Sequence, residues 1–219
     1  MRKYLTNERG NAVLYMIWLL GIVALIFVLL INLVKVYVIK EQSSLSADQA
    51  ALAGTSIILA GTKEAIKDFD QELVIGIGRS ITLDKSLEQE VAEKQQEWVN
   101  TGLDESSAYI KAVNELVPAK MEENPIIEEI LKEKFRGRLG DSVSELQYSV
   151  LPDVTSVLVQ NGAKEDQTEL VMDTSKWRLE VKTAVAFESI SDNKYIAKFV
   201  EDVPQKGYGP NLKYLETIY

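Results

Sequence analysis

The chain has 219 residues, 24 of them basic and 33 acidic, for a net charge of −9. It holds no cysteine and no histidine, which excludes disulfides and thiolate metal sites and removes the commonest general base and transition-metal ligand. Charge is placed unevenly: residues 1–40 carry Arg2, Lys3, Arg9, Lys35 and Lys40 against Glu8, a net of +4, so the remainder carries −13. An acidic body repels phosphate backbones and anionic lipid, which argues against nucleic acid as a partner.

Residues 1–12 form a short basic leader. Residues 13–34 contain no charge and one polar side chain, Asn32. As helix this run is about 33 Å long, enough for a hydrocarbon core of about 30 Å, and we read 13–35 as a transmembrane helix. Arg2, Lys3 and Arg9 precede it, which favours a cytoplasmic N-terminus and an extracytoplasmic body at the cell membrane. A cleaved secretory signal is the competing reading. Its apolar region is shorter, and here Lys35, Lys40 and Glu41 stand before the first Ala-rich stretch.

No proline occurs before Pro118, so the helix is expected to continue as a juxtamembrane segment over 36–75. Leu45, Leu52, Leu59, Ile66 and Leu73 recur every seven residues, with Ala51, Ile58 and Ala65 one position earlier. Such a stripe needs a cover. Either the chain's own C-terminal part or another subunit supplies it. Gly76 and Gly78 are expected to end this section.

Residues 76–140 read as a helical region. Asp84 or Ser86 caps its first helix and Asp104 or Ser106 its second, with Gly102 between them. Pro118 is expected to end the second, and Pro125 to open a third through about Phe135. Residues 141–219 read as mainly β. Thr155–Val159, Thr168–Met172, Trp177–Glu188 and Lys194–Val203 are rich in β-branched and aromatic residues. In the third, Trp177, Leu179, Val181, Thr183, Val185 and Phe187 alternate with Arg178, Glu180 and Lys182, as a half-buried strand requires. Asn161-Gly162 and Ser191-Asp192-Asn193 are turn chemistry, so antiparallel pairing is expected. Pro204, Gly207, Gly209 and Pro210 suggest a loop before a short tail. The class is α+β: an N-terminal transmembrane helix continuing into a juxtamembrane helix, a helical middle, and a C-terminal antiparallel sheet.

Three pieces near the N-terminus fall together. Arg9-Gly10 opens the apolar run, Asn32-Leu33-Val34-Lys35-Val36-Tyr37 closes it, and Ala47-Asp48-Gln49-Ala50-Ala51-Leu52-Ala53-Gly54 follows. Their order and spacing resemble the N-terminal region of TadE/TadG-like proteins of Tad (Flp-type) pilus assembly systems. The resemblance covers about a quarter of the chain, residues 9–60. Asn32 stands where an Asp is usual, Val34 for Gly, Lys35 for Arg, and Ser46 and Gln49 for Ala. It implies a single-pass membrane component of a pilus assembly or secretion apparatus, with other assembly subunits or pilins as partners. It also raises cleavage after Gly10. Tyr15, fifth after Gly10, replaces the Glu that prepilins carry there, so the chain is closer to the uncleaved type.

The same residues have a physical reading. Ala47, Ala50, Ala51, Ala53 and Gly54 either let another helix approach closely or simply favour helix. Asn32 lies near the outer bilayer edge, within reach of a neighbouring helix or interfacial water. Lys35 and Lys40 can snorkel to headgroups.

Catalytic patterns fail on spacing. Ser191-Asp192-Asn193-Lys194 overlaps two motifs that β-lactamase-like enzymes hold on separate segments. Gly76-Ile77-Gly78-Arg79 lacks the third glycine of a dinucleotide loop, and Gly61-Thr62-Lys63 lacks the upstream glycine of a phosphate loop. Asp68 and Asp70 lack the rest of a calcium loop. The pairs Glu122/Glu123 and Glu128/Glu129 diverge by about 100° on a helix. The sequence therefore points to a non-enzyme with no cofactor and no small-molecule substrate.

Overall fold

The computed structural model describes residues 8–72, 85–163, 165–186 and 202–219, without the side chains of 8–11, Glu165, Val185, Ala186, Asp202 and Val203. The fold is α+β. Helix α1 runs unbroken from Glu8 to Gln71, 64 residues and about 96 Å at the helical rise. Among the described residues four helices follow: α2 (Leu87–Asn100), α3 (Glu105–Glu123), α4 (Pro125–Leu139) and α5 (Val143–Gln160). A 3-10 turn at Glu165–Gln167 leads to β1 (Glu169–Asp173), β2 (Arg178–Ala186) and β3 (Asp202–Tyr208), and α6 (Leu215–Ile218) closes the chain.

Local chemistry sets the helix boundaries. Ser86 and Gln89 form a capping box at α2. Asp70, at the end of α1, also accepts the Leu87 and Glu88 N–H groups at 3.0 and 2.9 Å. Its carboxylate thus sits at a helix N-terminus and ties α1 to α2. Asp104 caps α3 through the N–H groups of Ser106 and Ser107. Asn124 caps α4, with Pro125 in the first turn and Gly140 (φ 106°) at the C-cap.

Some expectations change. Pro118 does not end its helix; α3 continues to Glu123 because Val113, Val117 and Met121 stay on one buried line through the proline. Helix α4 passes Phe135 and Gly137 to Leu139. Thr155–Val159 is the end of α5, not a strand, and the stretch from residue 141 accordingly begins with helix rather than sheet. Leu146, Val150, Val154 and Leu158 recur every four residues and are all buried, and this helical period overrides the β preference of the intervening residues. Asn161-Gly162 therefore turns the chain out of a helix, with Gly162 at φ 79°.

The three strands pair antiparallel in the order β1-β2-β3. The register sets Leu170 opposite Val181 and Val181 opposite Gly207. Leu179, Val181 and Thr183 are buried on one face, as alternation predicted, while Arg178, Glu180 and Lys182 are half-buried. Pro204–Tyr208, read as a loop, lies in β3. The expected break at Gly76 and Gly78 and the Ser191–Asn193 turn fall outside the described residues.

The core surrounds the far half of α1. Ile58, Ile66 and Phe69 meet Leu87, Val113, Val117, Leu131, Phe135 and Leu146. The C-terminal segment is part of it: Leu212, Tyr214, Leu215 and Ile218 are fully buried.

Candidate functional site: the two faces of helix α1

From Ala12 to Ile31 every side chain of α1 is exposed. This is one helix long and apolar enough to cross a membrane. Arg9 and Gly10 lie on its first helical turns. Asn32 is 4% exposed, and its Nδ2 donates to the Val28 carbonyl 3.0 Å away, one turn back in the same helix. Lys35 is half-buried and Tyr37 is 69% exposed.

Beyond the apolar run the helix acquires an inner face of small residues. Ala47, Ala50 and Ala51 are fully buried, with Ser43, Ser46, Gly54 and Thr55 beside them. The strands of the same chain cover them. A Cβ on Gly207 of β3 would overlap the Ala47 carbonyl and the Asp48 nitrogen. One on Gly209 would lie 2.5 Å from Thr55 Oγ1. Backbone thus rests on backbone, a contact only glycine permits. Asp48 fixes the register, its Oδ1 accepting the Tyr208 N–H at 3.1 Å. Gly54 is equally constrained, since a Cβ there would come within 2.8 Å of Leu179 Cδ1 and Val154 Cγ2.

This corrects one expectation. Ala47, Ala50, Ala51 and Gly54 are consumed by the chain's own sheet and α5, and do not offer a close-approach surface to another helix. Ala53 alone of the five stays half-exposed. The seven-residue stripe also divides. Leu45 and Leu52 are 57% and 53% exposed, Leu59 is half-buried and Ile66 is buried, while Leu73 lies outside the described residues. A straight helix drifts about 20° per heptad, so a stripe that starts on the open side reaches the core three heptads later.

Polar contacts hold the spine at its far end. The hydroxyls of Thr62 and Tyr214 meet at 2.6 Å in the core. Burial pushes the Tyr214 phenol well above its ordinary value. Burial also raises Tyr219 to about 12, and its hydroxyl donates to the Gly140 carbonyl at 2.9 Å. Asp68 pairs with Arg138 at 2.6 Å, and that hydrogen bond holds its carboxyl below the usual range. The two aspartates singled out in sequence are thus a cap and an ion pair. Among the described residues no three acidic side chains converge as a metal site. Glu128 and Glu129 line an open groove of about 580 Å³ on α4, mixed with Lys132 and Arg136.

Sequence reasoning missed Gly207, Tyr208, Gly209 and Tyr214. The available signal was the Gly-x-Gly spacing, which clears one face of a strand for close approach. Comparison with protein-family profiles, with characterised proteins and with solved structures finds no match to this chain.

Proposed function

We propose that this chain is a non-catalytic, single-pass component of a Tad-like (Flp-type) pilus assembly or secretion apparatus. Its N-terminus is cytoplasmic, and its acidic domain stands outside the cell membrane. The observation that carries this reading is helix α1 itself. The exposed apolar run and the core of the domain belong to one unbroken helix, and the juxtamembrane part of the TadE/TadG-like pattern, Ala47 to Gly54, sits where the domain grips it. Asp48, Ala50, Ala51 and Gly54 join the anchor to the sheet, which supports a positional role. The domain is held at a fixed height and angle above the bilayer, where it contacts pilins or neighbouring assembly subunits.

In-cell cross-linking of the full-length protein, followed by purification and identification of what travels with it, tests the proposal. Recovery of a pilin, a platform membrane protein or a secretion ATPase is expected. Recovery of a cell-wall or receptor partner instead would overturn it in favour of a membrane-tethered binding module.

A further inference from the structure

We propose that the outward line of α1 between Glu41 and Lys63 is a self-association seam, occupied by α1 of a second copy of this chain. Gln42, Leu45, Gln49, Leu52, Ser56 and Leu59 follow at alternating spacings of three and four. This is the a/d pattern of a parallel coiled coil with leucine at d. All but the half-buried Leu59 are exposed. Leu45 stands about 16 Å beyond Val34 along the axis, so hydrocarbon does not cover it. The chain's own sheet fills the opposite face, so the seam cannot turn inward.

Three features select a second copy as the occupant. The first is the repeat: a seven-residue period suits another helix running alongside, and a pocket on a globular partner imposes no such period. The second is charge. Every exposed residue of α1 between Glu41 and Lys63 is uncharged, in a chain of net charge −9. Half-buried Asp48, at the edge, is engaged by the Tyr208 N–H. Two acidic bodies repel one another, and along this line they meet without like charges opposed. The third is orientation and area. Copies anchored through the same span stand parallel and in register, Leu45 against Leu45 and Leu52 against Leu52. About 27 Å of helix contact falls short of the roughly 800 Å² per partner of a standard soluble interface. The exposed span from Ala12 to Ile31 continues the same helix and supplies the remaining length within the bilayer. The inference rests on the membrane-spanning reading of α1, not on the apparatus the protein serves.

The chain contains no cysteine, so single substitutions report unambiguously. Full-length Leu45→Cys, Gln49→Cys and Leu52→Cys, oxidised mildly in membranes, are expected to give disulfide-linked homodimers. Their yield should be about tenfold that of Ser44→Cys, Ala53→Cys or Ser156→Cys, since only the seam holds paired thiols at high effective concentration. Leu45→Ala with Leu52→Ala, added to Gln49→Cys, should remove most of that excess. Equal yields at all positions, no homodimer at Leu45 and Leu52, or their linkage to a different protein overturns the seam. A membrane-impermeant maleimide that fails to reach Ser156→Cys, exposed and off the seam, from outside overturns the extracytoplasmic placement of the domain alone. Dimers without pilus subunits leave the seam standing and overturn the assembly reading alone.

Discussion

Gly207 marks the point where sheet and spine touch with no room for a side chain. Overpacking a fixed contact costs about 1–3 kcal/mol, and here both opposing atoms are backbone, which cannot rotate away. Gly207→Ala should therefore lower the thermal midpoint of the detergent-solubilised protein. Gly137→Ala, with nothing within 4 Å and a place inside α4, should raise stability by roughly 0.5–1 kcal/mol through helix propensity. If the two variants melt alike, the close approach is wrong. The buried Thr62–Tyr214 hydroxyl pair calls for a cycle rather than a single variant. Tyr214→Phe should cost about 1–3 kcal/mol by stranding a buried hydroxyl, and adding Thr62→Val should recover part of the loss. At this scale the sequence was least informative. Gly207 and Gly209 read as loop formers because their alternate spacing clears a strand face without showing what will lie on it, here the backbone of a helix 160 residues earlier.

Helix α1 shows what periodicity conveys and what it omits. The apolar run, the absence of breakers and the seven-residue stripe were all legible, and so were Ser86 and Asp104 as cap candidates and Pro125 as a helix start. Which side of the juxtamembrane helix faces in was not. The small residues outcompeted the leucines for the interior because a sheet backbone needs close approach more than it needs apolar bulk. Ala50→Leu should accordingly cost about 1–3 kcal/mol of the protein's own stability, seen as a lower melting temperature and faster proteolysis. A variant that keeps its melt and loses only association would contradict the burial of Ala50. In α5 the four-residue spacing of Val150, Val154 and Leu158 was present but masked by β-branched neighbours. The C-terminal segment was underestimated for a similar reason. Its apolar residues are few, yet Leu212, Tyr214, Leu215 and Ile218 are all buried. Its tyrosines give it a pH signature. Tyr214 and Tyr219 are both raised above the ordinary 10.0, so burial favours the neutral phenol. That contribution is complete below pH 10 and declines as pH rises towards and past about 12, where Tyr219 ionises folded. Tyrosinate absorbance and helical circular dichroism should change together in that window. Phenols that all titrate near 10 with no loss of helix would show that the tail is not packed as described.

At the scale of the whole molecule, the consequence of α1 is that the apolar run and the domain share one axis. No proline interrupts it, and the inner face of the same helix is buried from Ser43 to Phe69. A tethered domain on a flexible linker would ignore a change in anchor length, whereas a domain built on the anchor must follow it. Each residue added to a helix turns everything beyond it by about 100° and lifts it by about 1.5 Å. Leucines inserted after Gly21 lie in the apolar run and leave the core untouched, so folding should be unchanged. Association that depends on both the span and the domain should instead depend on phase. One added residue rotates the domain by about 100° relative to the leader half of the span, and two by about 200°, the least favourable setting. Four bring it back to within about 40°, at a height about 6 Å greater. Co-purification of whatever partner the cross-linking recovers should therefore fall with one insertion, reach its minimum at two and recover substantially at four. A flat response across the series would mean that the helix bends or melts near the membrane surface and that the spine does not transmit orientation. A monotonic decline would mean that height alone matters. Only recovery at four residues is the behaviour of a rigid helix carrying its domain.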